Sequence, residues 1–531
     1  MAPVSGVVSV PVERHAGVGG LPSLTGVRLP PSTSSDRALK VLLDPALDPI
    51  VDAVMRRVDG DTYEALASDG RALVRRVPQG STWAFEVDQV EGRNPFEDQS
   101  TDRFVGLDVE LAQRWPDRRR NAYPFAYHQM AQLWDSPVAP DLAVLHTASH
   151  NWEDQGGHRG EHGSIGVVQA RAPFVLAGAG VRALGRPERA CRLVDVAPTV
   201  LTLLGAEAGD GIGENGLPRA ARLARQDGEA LDDLLDGRRA EHVVGFLIDG
   251  TNPNVLDDAV DRGEAPNIAR LMAMGTTMGH GAMASFPTAT LANHTGILTG
   301  CHPGHHGVLH NAWYDRGLGR QVITNSPETW STSMQWLSSE VETIHQVLHR
   351  LEPGVFTVAV NEMCDVGADF STFEQMRRRA RLGFPRQPEG IPHTTERFVR
   401  PHKDYAWFTQ VDHHGMLQAT GIWGGSFLGV DYPLPRFTWV NFALTDSAFH
   451  LGGPHSEIAR ASIVDTDARI GEVIAAVEAS GRFDETAFFV VADHGMEESD
   501  PAVTGDWDVA LRAAGIDFRD EAYGFLYLDV S

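Results

Sequence analysis

Three largely apolar runs from residue 242 onward each end on an aspartate: HVVGFLIDG (242–250), FTWVNFALTD (437–446) and TAFFVVADHG (486–495). A strand apolar on both faces is buried on both faces, the pattern of a parallel sheet covered by helices. The segment APNIARLMAMG (265–275) places Ile268, Leu271 and Met272 at i, i+3, i+4 and stops at a glycine, as a crossover helix does. A longer helical stripe through 456–479 carries Ile463, Ile470, Val473 and Val477. Strand, helix, strand repetition predicts an α/β fold with an open, mostly parallel central sheet flanked by helices on both faces.

In such sheets reactive groups collect at the carboxyl ends of strands, where Asp249, Asp446, Asp493 and His494 stand. A helix N-cap explains any one of these aspartates equally well. It does not explain four metal-type ligands at the ends of three separate strands. Asp446 and His450 are spaced to reach one ion from a strand end running into a loop, and Asp493-His494 can turn together toward one centre. Carboxylate and imidazole ligands without thiolate suit zinc, with manganese or iron as further candidates.

The segments FLIDG (246–250), FPTATLANHTGILTGCHPGHHGVLHNAWYDR (286–316), TDSAFHLGGPHS (445–456) and VVADHGM (490–496) together resemble the alkaline phosphatase superfamily, in its type I phosphodiesterase and nucleotide pyrophosphatase branch. The resemblance implies an alkaline-phosphatase-like fold with an inserted cap, two zinc ions, and hydrolysis of phosphodiester or pyrophosphate bonds through a phospho-threonine intermediate. It implies that Asp249, Thr290, Asp493 and His494 hold one zinc. Asp446, His450 and a third histidine in a Gly-x-His-Gly context would hold the other. Thr288 and Thr290 both occur in FPTAT; the family pattern, three residues before Asn293-His294, selects Thr290 as nucleophile and leaves Thr288 as a turn residue. Asn311 falls where the family donates a hydrogen bond to a phosphate oxygen. Asp446-Ser447-Ala448 also spells the nucleophile segment of classical alkaline phosphatases, but the following Phe449-His450 and Gly-Gly-Pro fit the phosphodiesterase pattern better. Leu291-Ala292 replaces the Phe-Pro of nucleotide-specific relatives, which puts nucleobase recognition in doubt. Phosphomonoester or phosphonate hydrolysis is the second reading, and a metal-binding relative without turnover the third.

The third histidine is out of order. In the ordinary family arrangement it follows the ADHG strand, yet the residues after Gly495 contain no histidine. GGHRGEHGSIGVVQARAPFVLAGAGV (156–181) followed by VDVAPTVLTLLG (194–205) resembles the usual end of such a domain, and His162 fits best as the ligand, with His158 as the alternative. The chain is therefore read as circularly permuted: 1–36 a tail or edge segment, 37–205 the C-terminal-type portion moved to the front, 206–240 a linker rich in Gly and charge, and 241–531 the nucleophile and metal-binding portion, with a cap at about 317–436. Relinking is tolerable because domain termini often lie close together. The competing reading makes 1–205 a separate, degenerate domain and leaves the metal site incomplete. If one site is formed, the nitrogens of His162 and His450 should approach within about 4 Å.

Composition narrows the partners. A formal net charge of −26 disfavours nucleic acid; a small phosphate ester is compatible, because bound dications reverse the local field. Cys191, Cys301 and Cys364 form no CxxC pair and indicate neither a disulfide framework nor a thiolate site. No run approaches a membrane span and no signal-like start is present, so the expected location is cytoplasmic. The sequence leaves the oligomeric state open.

Overall fold

The computed structural model describes residues 33–152, 158–381 and 401–530. Two seven-stranded sheets dominate it. The strands, in chain order, are β1 (Val51–Asp59), β2 (Thr62–Ala67), β3 (Gly70–Gln79), β4 (Thr82–Gly92), β5 (Leu142–His146), β6 (Phe174–Gly178), β7 (His242–Ile248), β8 (Thr276–Thr277), β9 (Thr357–Val360), β10 (Phe370–Ser371), β11 (Phe437–Phe442), β12 (Thr486–Val491), β13 (Phe518–Glu521) and β14 (Phe525–Leu528). The helices that matter are α1 (Thr290–Thr299), α2 (Leu444–Gly452), α3 (Glu457–Ala479) and α4 (Trp507–Ala513).

The central sheet runs β8-β6-β12-β7-β11-β9-β10. Its middle is parallel, with β7 flanked by β11 and β12, and β9 pairs with β11 and β10 in the same sense. Every residue of β11 and β12 is buried, as is β7 apart from His242 at its start, which requires helices on both faces. Each fully buried Val, Leu, Ile or Phe there contributes about 1.5–3 kcal/mol. The helix α3 returns the chain from β11 to β12 with Ile463, Ile470, Val473 and Val477 turned inward. Strand β6, from the front of the chain, lies antiparallel beside β12 and pairs Val175 with Val490. The segment before the 206–240 connection is thus part of the same sheet.

Several boundaries differ from the sequence expectation. Residues 1–32 lie outside the described residues, but 34–36 open a helix, Ser34–Leu42, because Thr33 and Asp36 form a capping box. Most of 37–146 is not part of the central sheet: β1 to β5 build the second, antiparallel sheet with β13 and β14, in the order β13-β14-β5-β1-β2-β3-β4. Residues 206–240 are more than a linker. They form a hairpin, Gly209–Ile212 against Pro218–Ala221, and bury Leu223, Leu231 and Leu234 in the main core; most of the charges that suggested a linker lie on the surface, while Glu214 and Asp227 are buried. The 317–436 region is a cap only in part, since β9 and β10 belong to the central sheet. A four-residue strand is too short to show a period in sequence.

Among the described residues all three cysteines are free and buried, and no helix is long and apolar enough to cross a membrane.

Candidate metal centre

The carboxyl ends of β7, β11 and β12 converge on one point. Asp249 follows β7, Asp493 and His494 follow β12, and the chain after β11 turns at once into α2. Asp446 and His450 therefore lie one helical turn apart on α2 rather than in a loop, a spacing that puts both side chains on one face. Two groups of ligand atoms result, Asp249 with Asp493 and His494, and His162 with Asp446 and His450, the atoms of each within 4.8 Å of one another. His162 Nε2 stands 3.1 Å from His450 Nε2 and 3.8 Å from Asp446 Oδ1. The imidazoles of His162 and His494 stack at 3.7 Å between ring centroids, so the two groups are neighbours.

How the histidines are held decides which nitrogen is offered. His162 Nδ1 donates to the Thr288 carbonyl at 2.7 Å, His450 Nδ1 to the Gly160 carbonyl at 2.7 Å, and His494 Nδ1 to the Gly495 carbonyl at 3.0 Å. In each ring the proton is fixed on Nδ1 and Nε2 faces the cluster, the usual way a protein orients imidazole toward a cation. Thr288 holds the His162 loop twice more: its hydroxyl donates to the Ser164 carbonyl and accepts from the Gly163 N–H, both at 2.8 Å. Gly250, at φ +63, allows the close approach of the β7 loop to α2, because a Cβ there would lie 2.5 Å from Asp446 Oδ1.

The electrostatics call for a positive charge. Asp249 Oδ1, Asp446 Oδ1, Asp493 Oδ2 and His494 Nε2 are buried without a hydrogen-bond partner among the described residues, a costly state unless a cation satisfies them. Burial, then repulsion from Asp493 and Asp446, pushes the Asp249 carboxyl well up. Burial raises Asp446 to about 6. Asp493 is held down at about 2, because His494 outweighs the cost of burial. Burial keeps His450 at about 4 and His162 well below its ordinary value, so both rings are neutral with free lone pairs. His494 is raised to about 9: burial opposes its charge, but Asp493, Asp446 and Asp249 outweigh it. A divalent ion would displace that proton.

Thr290 opens α1 at 7% exposure, placing its hydroxyl at a helix N-terminus where developing negative charge is favoured. Asn311 Oδ1 accepts the Leu291 N–H at 3.4 Å, which leaves the Asn311 amide N–H groups to donate. Asn311, His162 and His450 line one cavity of about 1010 Å³.

Two residues with no role in the sequence reading support the site. His294, fully buried on α1, sends Nε2 to within 3.6 Å of Asp249 Oδ2 and 3.7 Å of Asp493 Oδ2, while Nδ1 meets Glu362 Oε2 at 2.9 Å. Burial would lower its pKa; Glu362, Asp249 and Asp493 raise it well above the ordinary value. Glu362 follows β9 and so was hidden in the region read as a cap. His158 and Glu161 form a further ligand group with His450, so geometry keeps His158 near the cluster, but His162 is the histidine that also meets Asp446.

The family model for type I phosphodiesterase / nucleotide pyrophosphatase matches residues 243–530, more than half of the chain. The chain belongs to that family. With it the protein stands in the alkaline phosphatase superfamily. Among curated relatives, the alkaline phosphatase PafA of Elizabethkingia meningoseptica is 32% identical over 91 residues, 17% of each chain. An uncharacterised pyrophosphatase/phosphodiesterase of Schizosaccharomyces pombe is 29% identical over 122 residues, 22% of this chain and 21% of the relative. These matches therefore span about a fifth of either relative. Phosphonoacetate hydrolase from Sinorhizobium meliloti 1021, solved with phosphonoformate, aligns at a TM-score of 0.30 and 19% identity, covering 49% of this chain and 58% of that one. The match to this phosphodiesterase family begins at β7 and so leaves out the segment that carries His162.

Proposed function

We propose that the chain is a two-metal hydrolase of phosphodiester or pyrophosphate bonds in which Thr290 is the nucleophile, and that its catalytic domain is circularly permuted. The carrying observation is the pair of adjoining ligand groups, drawn from both sides of the 206–240 connection, with unpartnered oxygens and nitrogens turned inward. Asp249, Asp493 and His494, with Thr290, would hold one ion; Asp446, His450 and His162 the other. When bound, the two ions would lower the pKa of the attacking hydroxyl and neutralise charge on the phosphoryl oxygens. The oxygen and nitrogen donor set suits zinc, with manganese or iron as alternatives.

Thr290 Oγ1 attacks phosphorus in line with the departing alcohol or phosphate; as the Oγ1–P bond forms, the bond to the departing oxygen breaks, that oxygen takes up the hydroxyl proton, and a phospho-threonine remains. The Asn311 amide donates to a non-bridging oxygen as its charge grows. Water then attacks the phospho-threonine, restoring the Thr290 hydroxyl and releasing phosphate monoester. His294, clamped by Glu362, positions Asp249 and Asp493. We expect a small phosphate ester rather than nucleic acid as substrate, and a cytoplasmic protein.

The test is hydrolysis of bis-p-nitrophenyl phosphate by metal-replete protein. Turnover should fall on the order of 10⁴-fold in Thr290→Ala with metal still detectable by plasma emission. Full activity in that variant rejects the nucleophile; no turnover by metal-replete wild type on any ester rejects the enzyme. An alkaline phosphatase among the relatives favours phosphomonoesters as the second reading, which p-nitrophenyl phosphate tests in the same assay.

A further inference from the structure

The helix α2, which carries Asp446 and His450, brings no cap of its own. Ala443 stands at its N-cap without a side-chain hydrogen bond, and alanine is among the poorest residues for that position. The missing acceptor comes from another element. Asp412, on the helix Pro401–Trp423 of the cap region, accepts the Ala443 N–H at 2.9 Å and the Leu444 N–H at 3.0 Å, one on each carboxylate oxygen. Asp412 is fully buried. Burial pushes its carboxyl up to about 7 although both N–H groups pull it down, so it is a costly group to place there.

The same turn of that helix also meets a support of the other ligand group. The Val411 carbonyl accepts the Asn361 side-chain amide at 3.2 Å. Gly415 lets the helix come this close, because a Cβ there would lie 2.4 Å from Asn361 Nδ2. Asn361 follows β9 at φ +52, a left-handed conformation that asparagine tolerates, and its carbonyl accepts Asn441 Nδ2 of β11 at 3.3 Å. The next residue is Glu362, the clamp on His294.

We propose that Asp412 is a positioning residue for the metal centre: by fixing the start of α2 it sets where Asp446 and His450 stand, and it ties the cap-region helix to the ion they would hold. The inference rests on the two-metal reading and adds to it a residue outside the ligand set. Asp446 is the second residue after Leu444 and His450 lies one turn further on, so a shift at the start of α2 passes to both side chains. Metal–ligand distances hold to about 0.2 Å, and such a shift weakens binding before it unfolds the chain. Asp249 and Asp493 follow other strands and are spared. The fold supplies its own control in Asp467, buried on α3. It accepts the Ile268 N–H at 2.8 Å and the Asn267 N–H at 3.2 Å, and so caps the helix Pro266–Met274, whose N-cap is likewise an alanine, Ala265. That helix carries none of the ligands.

The experiment measures zinc affinity of the full chain, stripped of metal and reloaded in competition with a chelator. Wild type should take up two equivalents. In Asp412→Ala one of them should bind about tenfold more weakly and the other as before. In Asp467→Ala both should bind as in wild type, although the unfolding temperature falls as it does in Asp412→Ala. The affected equivalent is the one lost in His162→Ala, so adding Asp412→Ala to that variant should change zinc binding no further. Asp412→Asn keeps one acceptor oxygen; it should weaken the same equivalent by less, and it carries the test alone if the alanine variant does not fold. Unchanged affinities in the folded variants, equal weakening of both equivalents, or the same loss in Asp467→Ala overturn the proposal and leave Asp412 an ordinary helix cap. A wild type that binds fewer than two equivalents rejects the two-metal reading, and the inference falls with it.

Discussion

Two buried clusters of histidine and aspartate can be set side by side. Around His305 both ring nitrogens are taken, Nδ1 by Asp227 at 2.5 Å and Nε2 by Asp135 at 2.9 Å. Arg76 then joins Asp135 at 2.7 Å and Asp61 at 2.8 Å. Burial opposes a charge on His305, yet the two aspartates raise it to about 9, so the ring itself supplies the cation. In the cluster at the strand ends, three histidines spend only Nδ1 on backbone carbonyls and three aspartates each keep an oxygen without a partner. Histidine and aspartate are common to both, and the first adds Arg76. What differs is whether the second nitrogen closes the network or is held open, and that separates a cluster that ties elements together from one shaped for an external cation.

His162→Ala is the largest break in this comparison: about one of the two expected metal equivalents should be lost, and diesterase activity should fall on the order of 10³-fold. Unchanged metal content in both His162→Ala and His158→Ala would remove the front segment from the site. Asn311→Ala should retain metal and lose about 10²- to 10³-fold in kcat, as expected for one oxyanion donor; a change confined to KM would count against that role. His305→Ala should show the reverse pattern, with full metal content but stability lowered by about 3 kcal/mol in urea unfolding, because Asp227 and Asp135 lose their shared partner.

The smallest effect is in pH. His305 has a folded pKa of about 9 against an ordinary 6.5, so its contribution is complete below about pH 6.5 and disappears as pH rises through 9. Asp135, held at about 2 because His305 and Arg76 outweigh burial, contributes above about pH 4 and loses that contribution as pH falls through 2. The gap in Tm between wild type and His305→Gln should therefore be widest between about pH 4 and 6.5 and narrow by pH 9. A gap constant across that range would refute the charged His305.

The central sheet was legible because β7, β11 and β12 are long enough, and apolar enough on both faces, to stand out. Their terminal aspartates were legible for the same reason. The second sheet was not, since β1 to β4 share no one period, being buried in runs in β1 and β2, alternating in β3 and largely exposed in β4, and are tied together only when β13 and β14, more than 400 residues downstream of β2, pair into the same sheet through β5. Glu362 was missed because its strand, β9, has four residues. The Asp446–His450 pair was expected in a loop; α2 begins two residues after β11, a boundary that periodicity does not mark.

The sequence by itself determined the chemistry on offer: strand-end carboxylates and imidazoles, a threonine in the FPTAT segment, and a histidine displaced to the front of the chain. Only the tertiary structure decided that His162 joins His450, that His294 and Glu362 buttress the site, and that Asp412 caps α2. Local periodicity reports which side of an element is buried. Contacts between segments hundreds of residues apart depend on how strands pair and which lone pairs remain unpaired, and these exist only once the sheets are formed.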